Sequence, residues 1–169
     1  MSEQKKSKKK EILSWVYTIL AAVAVFMIFM IFFQPGIVSG PSMAPNYNDG
    51  DRFFITRDWC CGDYNYEDVV CVDINGRVLI KRVIGLPGDT IEIKDGKVYR
   101  NGDVIDETSY LDASVKTNTS KEEFKIVVED GELFVLGDNR AVSVDSRSIG
   151  CVTNVLGKTW FIYRQSWFN

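Results

Sequence analysis

The sequence predicts a mainly β protein, an antiparallel and barrel-like β domain on a single N-terminal transmembrane helix. Three observations support this fold class. Residues 12–33 form an uncharged apolar run, short β-type runs follow after residue 50, and Asn-Gly or Asp-Gly dipeptides separate several of those runs. A chain of 169 residues accommodates one such domain and an appendage.

The apolar run is long enough to cross a membrane. Its 22 residues contain only Ser14 and Thr18 as polar interruptions. A helix rising about 1.5 Å per residue would measure about 33 Å, which matches a hydrocarbon core of about 30 Å. Gln34-Pro35-Gly36 follows and is expected to end the helix. We therefore expect residues 12–33 to be a transmembrane helix.

The charge before this helix predicts its orientation. Residues 1–11 hold five lysines against two glutamates, and the next basic residue is Arg52. The positive-inside rule places residues 1–11 in the cytoplasm as a basic tail and residues 34–169 outside, as a single-pass protein of the cell membrane. The alternative is a cleaved secretory signal with Val38-Ser39-Gly40 as its cleavage site. A retained anchor is favoured, because the apolar core of a signal peptide runs to only about 7–15 residues.

The exterior segment reads as strands and tight turns. Three dipeptides predict hairpins, because both central residues of a type I′ turn need positive φ: Asn75-Gly76, Asp95-Gly96 and Asn101-Gly102. A variable region is expected around 90–130, where the polar, unpatterned residues 106–123 predict a surface excursion. The eight strand-like runs are 52–56, 68–74, 77–86, 90–94, 97–100, 124–128, 132–136 and 159–164.

Composition excludes several functional classes. The chain contains no histidine, which rules out a Ser-His-Asp triad, a Cys-His dyad, histidine-ligated zinc and a histidine pH switch. The net charge is −3, but beyond residue 11 the chain carries 15 basic against 21 acidic residues. Such an acidic body argues against a nucleic-acid partner. No metal or organic cofactor is suggested.

The four cysteines do not suggest chemistry. An even count outside the membrane could form disulfides, but Cys60 and Cys61 are adjacent, and Cys71 lies in an apolar run where a buried thiol is expected. We predict no disulfide. A catalytic cysteine is also disfavoured, because there is no histidine to activate it.

Two residues could carry nucleophilic chemistry without histidine. Ser42 lies in the loop sequence SGPSMAPNYNDGD, and a serine nucleophile can use a neutral lysine as its base. Strand alternation puts Lys81 on one face with Leu79 and Val83, so desolvation could lower its pKa from about 10.4. Taken singly, each has a plainer interpretation. Ser42 could simply satisfy a turn, and Lys81 could be an ordinary edge-strand lysine.

A third stretch, residues 136–150, concentrates turn-forming residues after a predicted strand. Asp138 and Asn139 can be explained as turn residues that bond to their own backbone. Asp145 and Arg147 could form a surface ion pair of little energetic value. Taken alone, this stretch does not point to a site.

Together, three boxes in order resemble the bacterial type I signal peptidases, membrane-anchored serine proteases with a Ser/Lys dyad. The boxes are SGPSMAP at 39–45 with GD at 50–51, IKRVIGLPGD at 80–89, and GDNRAVSVDSRSIG at 137–150. The basic tail and single membrane helix precede them, as in that family. The missing histidine also fits, because the relatives in the endoplasmic reticulum carry histidine where this chain has lysine.

The resemblance implies a role for five residues. Ser42 matches the nucleophile and Lys81 the general base. Ser143 matches a serine that hydrogen-bonds and orients the lysine amine. Asp145 and Arg147 match a pair that braces the site.

The resemblance also implies a substrate cleft. Met43 follows the nucleophile and is expected to line the cleft, with Val38, Tyr47 and Ile80 as further wall residues. Tyr47 stands where the family pattern has leucine. Gly40 stands where one branch has a serine that contributes to the oxyanion hole, so the hole here would depend on backbone N–H groups, as in the Gram-positive branch.

The function implied is removal of signal peptides from exported preproteins, after small residues of the Ala-x-Ala type. Partners would be these preproteins and the lipid bilayer, with the enzyme a monomer. A self-cleaving repressor-type Ser/Lys protease and a non-catalytic anchored β domain are the alternatives. Trp160, Trp167 and Phe168 near the C-terminus could contact lipid, although a final β strand explains residues 160–164 equally well.

Overall fold

The computed structural model describes residues 2–120 and 124–164, with side-chain surroundings from residue 8 onward except at Phe161. Two of the aromatic residues considered for lipid contact, Trp167 and Phe168, lie outside these ranges. The chain divides into two compact units, residues 1–34 and residues 35–169.

The first unit is a helix, α1, from Ser2 to Phe32. Its stretch Lys8–Phe32 has a mean hydropathy of 2.5, so by length and composition it could cross a membrane. The helix was predicted to end at residue 33, and it ends one residue earlier, at Phe32. The chain then continues as strand β1, Phe33–Ile37. The helix also includes most of the basic tail, which the sequence pattern alone had left outside it.

The second unit is built from antiparallel strands, which confirms the mainly β prediction. One sheet has six strands in the order β1-β2-β10-β3-β4-β9, and the other has four in the order β7-β6-β5-β8. All eight predicted runs are strands: seven agree to within two residues at each end, and the last begins at Val155, four residues before its predicted start. β1 and the two-residue β7 were not predicted. The strands after β1 are β2 Arg52–Arg57, β3 Val69–Ile74, β4 Arg77–Gly85, β5 Thr90–Lys94, β6 Lys97–Arg100, β7 Asp103–Val104, β8 Phe124–Val127, β9 Phe134–Leu136 and β10 Val155–Tyr163.

The predicted hairpin turns are present. Asn75 and Gly76 connect β3 to β4 with φ of 53° and 81°, and Asp95 and Gly96 connect β5 to β6 with φ of 54° and 75°. The turn between β6 and β7 has the same pattern. These positive φ values explain why Asn-Gly and Asp-Gly occupy the turns, since other residue pairs would be strained there.

The strand that carries Lys81 lies inside the six-stranded sheet. β4 pairs with β3 on one side and with β9 on the other, and residues 80–85 are all buried. Both faces of β4 are covered at this point, because the adjacent residues Val83 and Ile84 point to opposite faces and belong to different core clusters. The interpretation of Lys81 as an edge-strand lysine is therefore wrong.

The loop that carries Ser42 is fixed to the same core. Val38 and Met43 pack with Ile80 in one cluster. The backbone of Val38 closes the loop at its base by accepting from the N–H of Gly50 at 3.0 Å and donating to the carbonyl of Asp51 at 2.8 Å. The loop between β1 and β2 is thus held at both ends.

Residues 105–120, here called the 105–120 segment, have no regular structure. The predicted surface excursion is confirmed, since most of these residues are exposed, but Thr117 is buried and several polar groups of the segment bond to the third box of the sequence, which was not predicted. Such contacts use single polar side chains, which leave no periodic pattern in the sequence.

The four cysteines are free thiols, as predicted. Cys71 lies in β3 and is buried, and burial raises the pKa of its thiol to about 12. A thiol with so high a pKa stays protonated at neutral pH and is a poor nucleophile.

Candidate active site

Ser42 and Lys81 meet in the folded chain although 39 residues separate them. Lys81 Nζ donates a hydrogen bond to Ser42 Oγ at 2.8 Å. The same amine donates to the carbonyl oxygen of Ile80 at 2.7 Å, which fixes the direction of the lysine side chain. A nucleophile and a base within hydrogen-bond distance are the geometry that covalent catalysis by serine requires.

The surroundings of Lys81 favour its neutral form. Its side chain is among the largest that are fully buried, and the residue is 2% exposed. The pKa of Lys81 is lowered from 10.5 to about 8, because burial disfavours the ammonium, while the charges of Asp145 and Asp138 offset only part of that effect. An amine with this pKa is partly neutral near physiological pH and can accept a proton from Ser42.

Ser42 itself remains reachable. The residue is half-buried, and its backbone carbonyl accepts from the N–H of Asn139 at 3.0 Å. Among the described residues, no protein group accepts from the backbone N–H of Ser42. That N–H is therefore available to an oxygen atom of a bound molecule.

Asp145 and Arg147 form a buried pair, not the surface ion pair considered from the sequence. The guanidinium of Arg147 donates to both carboxylate oxygens of Asp145, at 2.8 Å and 2.9 Å. Asp145 also accepts from the N–H of Gly137 at 3.0 Å and caps the short helix α2, Ser146–Ile149. Burial alone would raise the pKa of Asp145, but the hydrogen bonds from Arg147 and Gly137 and the charge of Arg147 together outweigh it and hold that pKa below its usual value.

Ser143 differs from what the resemblance implied. Its Oγ is buried and makes no hydrogen bond of good geometry among the described residues, although it lies near the Asp145 carboxylate and helps to lower the pKa of that group. Lys81 donates to Ser42 and Ile80, not to Ser143. Ser143 packs against Gly137, whose α-carbon also faces the carbonyl oxygen of Ser42. Ser143 thus lies close to the backbone of Ser42 but does not orient the lysine in this structure.

Asp138 was missed as a site residue. The sequence suggested a turn residue bonded to its own backbone, but its carboxylate accepts from Arg82 Nε at 2.8 Å and from Arg82 NH2 at 2.6 Å. Asn46 Nδ2 donates to the same carboxylate at 2.8 Å. Arg82 is the neighbour of Lys81, and Asn46 belongs to the loop that carries Ser42. Arg82 and Asp138 are 56 positions apart, and no periodic sequence pattern relates residues at that distance. Only the presence of both residues in two of the three boxes could have suggested that they pair.

The residues predicted to line a cleft surround the same core cluster. Val38, Met43 and Ile80 are buried in it, and Tyr47 packs against it. Met43 is 0% exposed and accepts from the N–H of Asp138 through its sulfur at 3.4 Å. Met43 is therefore buried in the core cluster next to the nucleophile candidate, and its expected role in lining a substrate cleft stays a prediction.

Gly40 lies before the serine in the left-handed region, with φ of 86°. Its N–H donates to Asp49 Oδ1 at 2.7 Å, and no atom lies within 4 Å of the position that a Cβ would take. The space that a serine hydroxyl would occupy at this position is open.

Comparison with known proteins gives consistent matches. The family described as signal peptidase, peptidase S26, matches residues 12–165. The chain is 35% identical over 176 residues to signal peptidase I S of Bacillus subtilis (strain 168), covering 96% of this chain and 95% of that protein. It is 34% identical over 177 residues to signal peptidase I of Bacillus licheniformis, covering 96% and 95%. A crystal structure of a signal peptidase I from Enterococcus faecalis V583 is 30% identical with a TM-score of 0.47, covering 57% of this chain and 96% of that chain.

Proposed function

The chain belongs to the signal peptidase family, peptidase S26, and is a hydrolase that removes signal peptides from preproteins; we propose that Ser42 is its nucleophile and Lys81 its general base. The observation that carries this proposal is the 2.8 Å hydrogen bond between the buried amine of Lys81 and Ser42 Oγ. The chain contains no histidine, and Lys81 is the basic side chain within hydrogen-bond distance of Ser42.

The reaction begins when Lys81 is neutral. Its amine removes the proton of Ser42 as Oγ attacks the carbonyl carbon of the scissile peptide bond. The ammonium of Lys81 then gives that proton to the leaving nitrogen, the C–N bond breaks, and the signal peptide stays attached to Ser42 as an ester. Lys81, neutral again, takes a proton from a water molecule as the water oxygen attacks the ester carbon. The bond to Ser42 Oγ then breaks, Lys81 returns the proton to Oγ, and the signal peptide leaves as a carboxylic acid.

The oxyanion formed in each step needs hydrogen-bond donors. The backbone N–H of Ser42 has no protein acceptor among the described residues, and it is our candidate donor. Gly40 offers no hydroxyl, so backbone groups supply the stabilisation. One such donor contributes about 2.7–4 kcal/mol in a related kind of hydrolase.

Three residues support the dyad in this proposal. Asp145 holds the N–H of Gly137 and is itself held by Arg147, which fixes the backbone beside Ser42 and Ser143. Lys81 donates to two acceptors, which leaves one of its three amine hydrogens free when it is protonated. Ser143, whose hydroxyl is unpartnered, accepts that hydrogen after a side-chain rotation.

We assign specificity to the apolar residues around Ser42. Val38, Met43, Tyr47 and Ile80 pack in one cluster, and in this proposal they restrict the position before the scissile bond to small side chains. The substrates are then preproteins whose signal peptides end in an Ala-x-Ala type sequence. The bound segment lies extended along a sheet edge, as in other cases of β-strand addition.

The setting of the reaction follows from the N-terminal helix. Signal peptidases are membrane-associated, and this chain has one apolar helix near its N-terminus. In our proposal the lysine-rich tail lies in the cytoplasm, the β unit lies on the outer face, and the enzyme acts as a monomer. Enzyme and preprotein then share one membrane, so they meet in two dimensions.

The test is cleavage of a preprotein by the full chain in liposomes. Wild type, Ser42→Ala and Lys81→Ala are compared, and the new N-terminus is identified by mass spectrometry. We expect cleavage after the small residue by the wild type and none by the two variants, with circular dichroism unchanged. Cleavage by Ser42→Ala at the wild-type rate would contradict the proposal. A matched preprotein with Phe before the scissile bond tests the specificity and should remain uncut.

A further inference from the structure

The 105–120 segment contacts the candidate site at several points, and one acidic side chain, Glu107, joins two of them. Glu107 lies in this segment, and its carboxylate accepts hydrogen bonds from two directions. One comes from the guanidinium of Arg140 and the other from the hydroxyl of Tyr110 at 2.8 Å. Both partners lead to residues that adjoin the dyad.

The first path runs through Arg140. This guanidinium is 4% exposed, and both of its terminal nitrogens donate to Glu107. Its Nε donates to the carbonyl of Gly137 at 3.1 Å. Gly137 packs against the backbone of Ser42, and Asn139, two residues later, donates to the Ser42 carbonyl at 3.0 Å. Glu107 therefore orients the arginine that holds the backbone beside the nucleophile.

The second path runs through Tyr110. The ring of Tyr110 stacks under the guanidinium of Arg82 at 4.2 Å, and its carbonyl accepts from Asn46 at 2.7 Å. Arg82 is the neighbour of Lys81, and Asn46 lies four residues after Ser42. The Tyr110 hydroxyl is anchored by Glu107, so the carboxylate of Glu107 also fixes a residue that contacts β4 through its ring and the Ser42 loop through its backbone carbonyl.

We propose that Glu107 is a positioning residue for peptide cleavage, and that the 105–120 segment is a brace which holds the Ser42 loop and β4 at reacting distance. This inference rests on the proposed roles of Ser42 and Lys81. Buried ion pairs often contribute little net stability, because desolvation costs offset the attraction. Their geometry is nevertheless specific, and both paths from this carboxylate end next to the dyad.

The experiment compares Glu107→Gln with wild type in the liposome assay. For each protein, kcat and KM of preprotein cleavage are measured, and kcat is normalised to the amount of folded enzyme. The variant loses the negative charge of the carboxylate to which Arg140 and Tyr110 both donate, but its side chain keeps nearly the same size. We expect kcat to fall about 10- to 100-fold with KM within about threefold, because misplacement of reacting groups by about 1 Å has effects of this order. Glu92→Gln is the matched control, since Glu92 accepts from Lys125 at 3.0 Å on the other sheet, and it should leave both constants unchanged.

A double variant covers the case in which Glu107→Gln folds poorly. Glu107→Leu with Arg140→Met removes both charges together, which restores stability in many buried pairs. We expect the thermal midpoint to recover and kcat to stay low. An unchanged kcat per folded molecule in either variant, or a change confined to KM, would overturn the inference. Ser42→Ala is measured in parallel, and its full activity would instead refute the dyad.

Discussion

The pH dependence of cleavage should report the neutral amine of Lys81. With a pKa of about 8, about one molecule in ten has neutral Lys81 at pH 7. An unperturbed lysine, with its pKa near 10.5, would be neutral in only about one molecule in 3,000 at that pH. Burial of Lys81 therefore raises the fraction of competent enzyme roughly 300-fold.

The assay is kcat/KM for one preprotein between about pH 6 and pH 10, since this constant reports the ionisation of the free enzyme. We expect a tenfold rise per pH unit at the acidic end, a midpoint near 8 and a plateau above it. The control is Lys97→Met, at an exposed position in β6, and its profile should match the wild type. A midpoint near 10.5, or a rate independent of pH, would refute the reasoning.

The same pKa has a consequence for stability. Below about pH 8 Lys81 is protonated in both states, and the folded chain carries the full cost of the buried ammonium. From about pH 8 to 10.5 only the unfolded chain holds the proton, so the free energy of unfolding rises with pH. At about 1.4 kcal/mol per pH unit, the rise amounts to roughly 3 kcal/mol. It should appear as the difference between wild type and Lys81→Met in denaturant titrations, and an equal pH dependence of the two proteins would contradict it.

Three further predictions concern the surroundings of the dyad. Asp138→Asn leaves Arg82 buried without its counter-charge and should lower the free energy of unfolding by about 3–5 kcal/mol in urea titration; a loss below about 1 kcal/mol would argue against a buried pair. Gly137→Ala places a methyl group against Ser143 Oγ and 2.6 Å from the Ser42 carbonyl oxygen, so cleavage should fall by about 100-fold; wild-type rates would show that the backbone can shift freely. Gly40→Ala meets open space but keeps a φ of 86°, so it should cost about 1–2 kcal/mol of stability and leave kcat within a few-fold; an inactive, folded variant would give Gly40 a direct role.

The regular elements were predictable because their signals are local. The apolar run, the β-type runs and the dipeptides at 75–76, 95–96 and 101–102 each determine structure through neighbouring residues. The strand β1 was missed, because Phe33–Ile37 contains Pro35 and Gly36, which read as a helix end.

The candidate site was only partly predictable. Ser42 and Lys81 could be paired through the absence of histidine and the order of the three boxes, but the burial of Lys81 depends on β9 and β3 lying on either side of β4. The pair of Arg82 with Asp138 and the contacts of Glu107 join positions far apart in the chain. Such long-range polar contacts have no period, so they emerge only from the folded structure.

The central claim is that Lys81 acts as a base toward Ser42, and Lys81→Arg tests it most directly. Arginine keeps a positive charge and can donate to Ser42 Oγ, but its guanidinium stays protonated and cannot accept the proton of the serine. In the liposome assay, we predict that Lys81→Arg and Ser42→Ala both lose at least about 10²–10⁴-fold in kcat while remaining folded. Cleavage by Lys81→Arg at close to the wild-type rate would contradict the account.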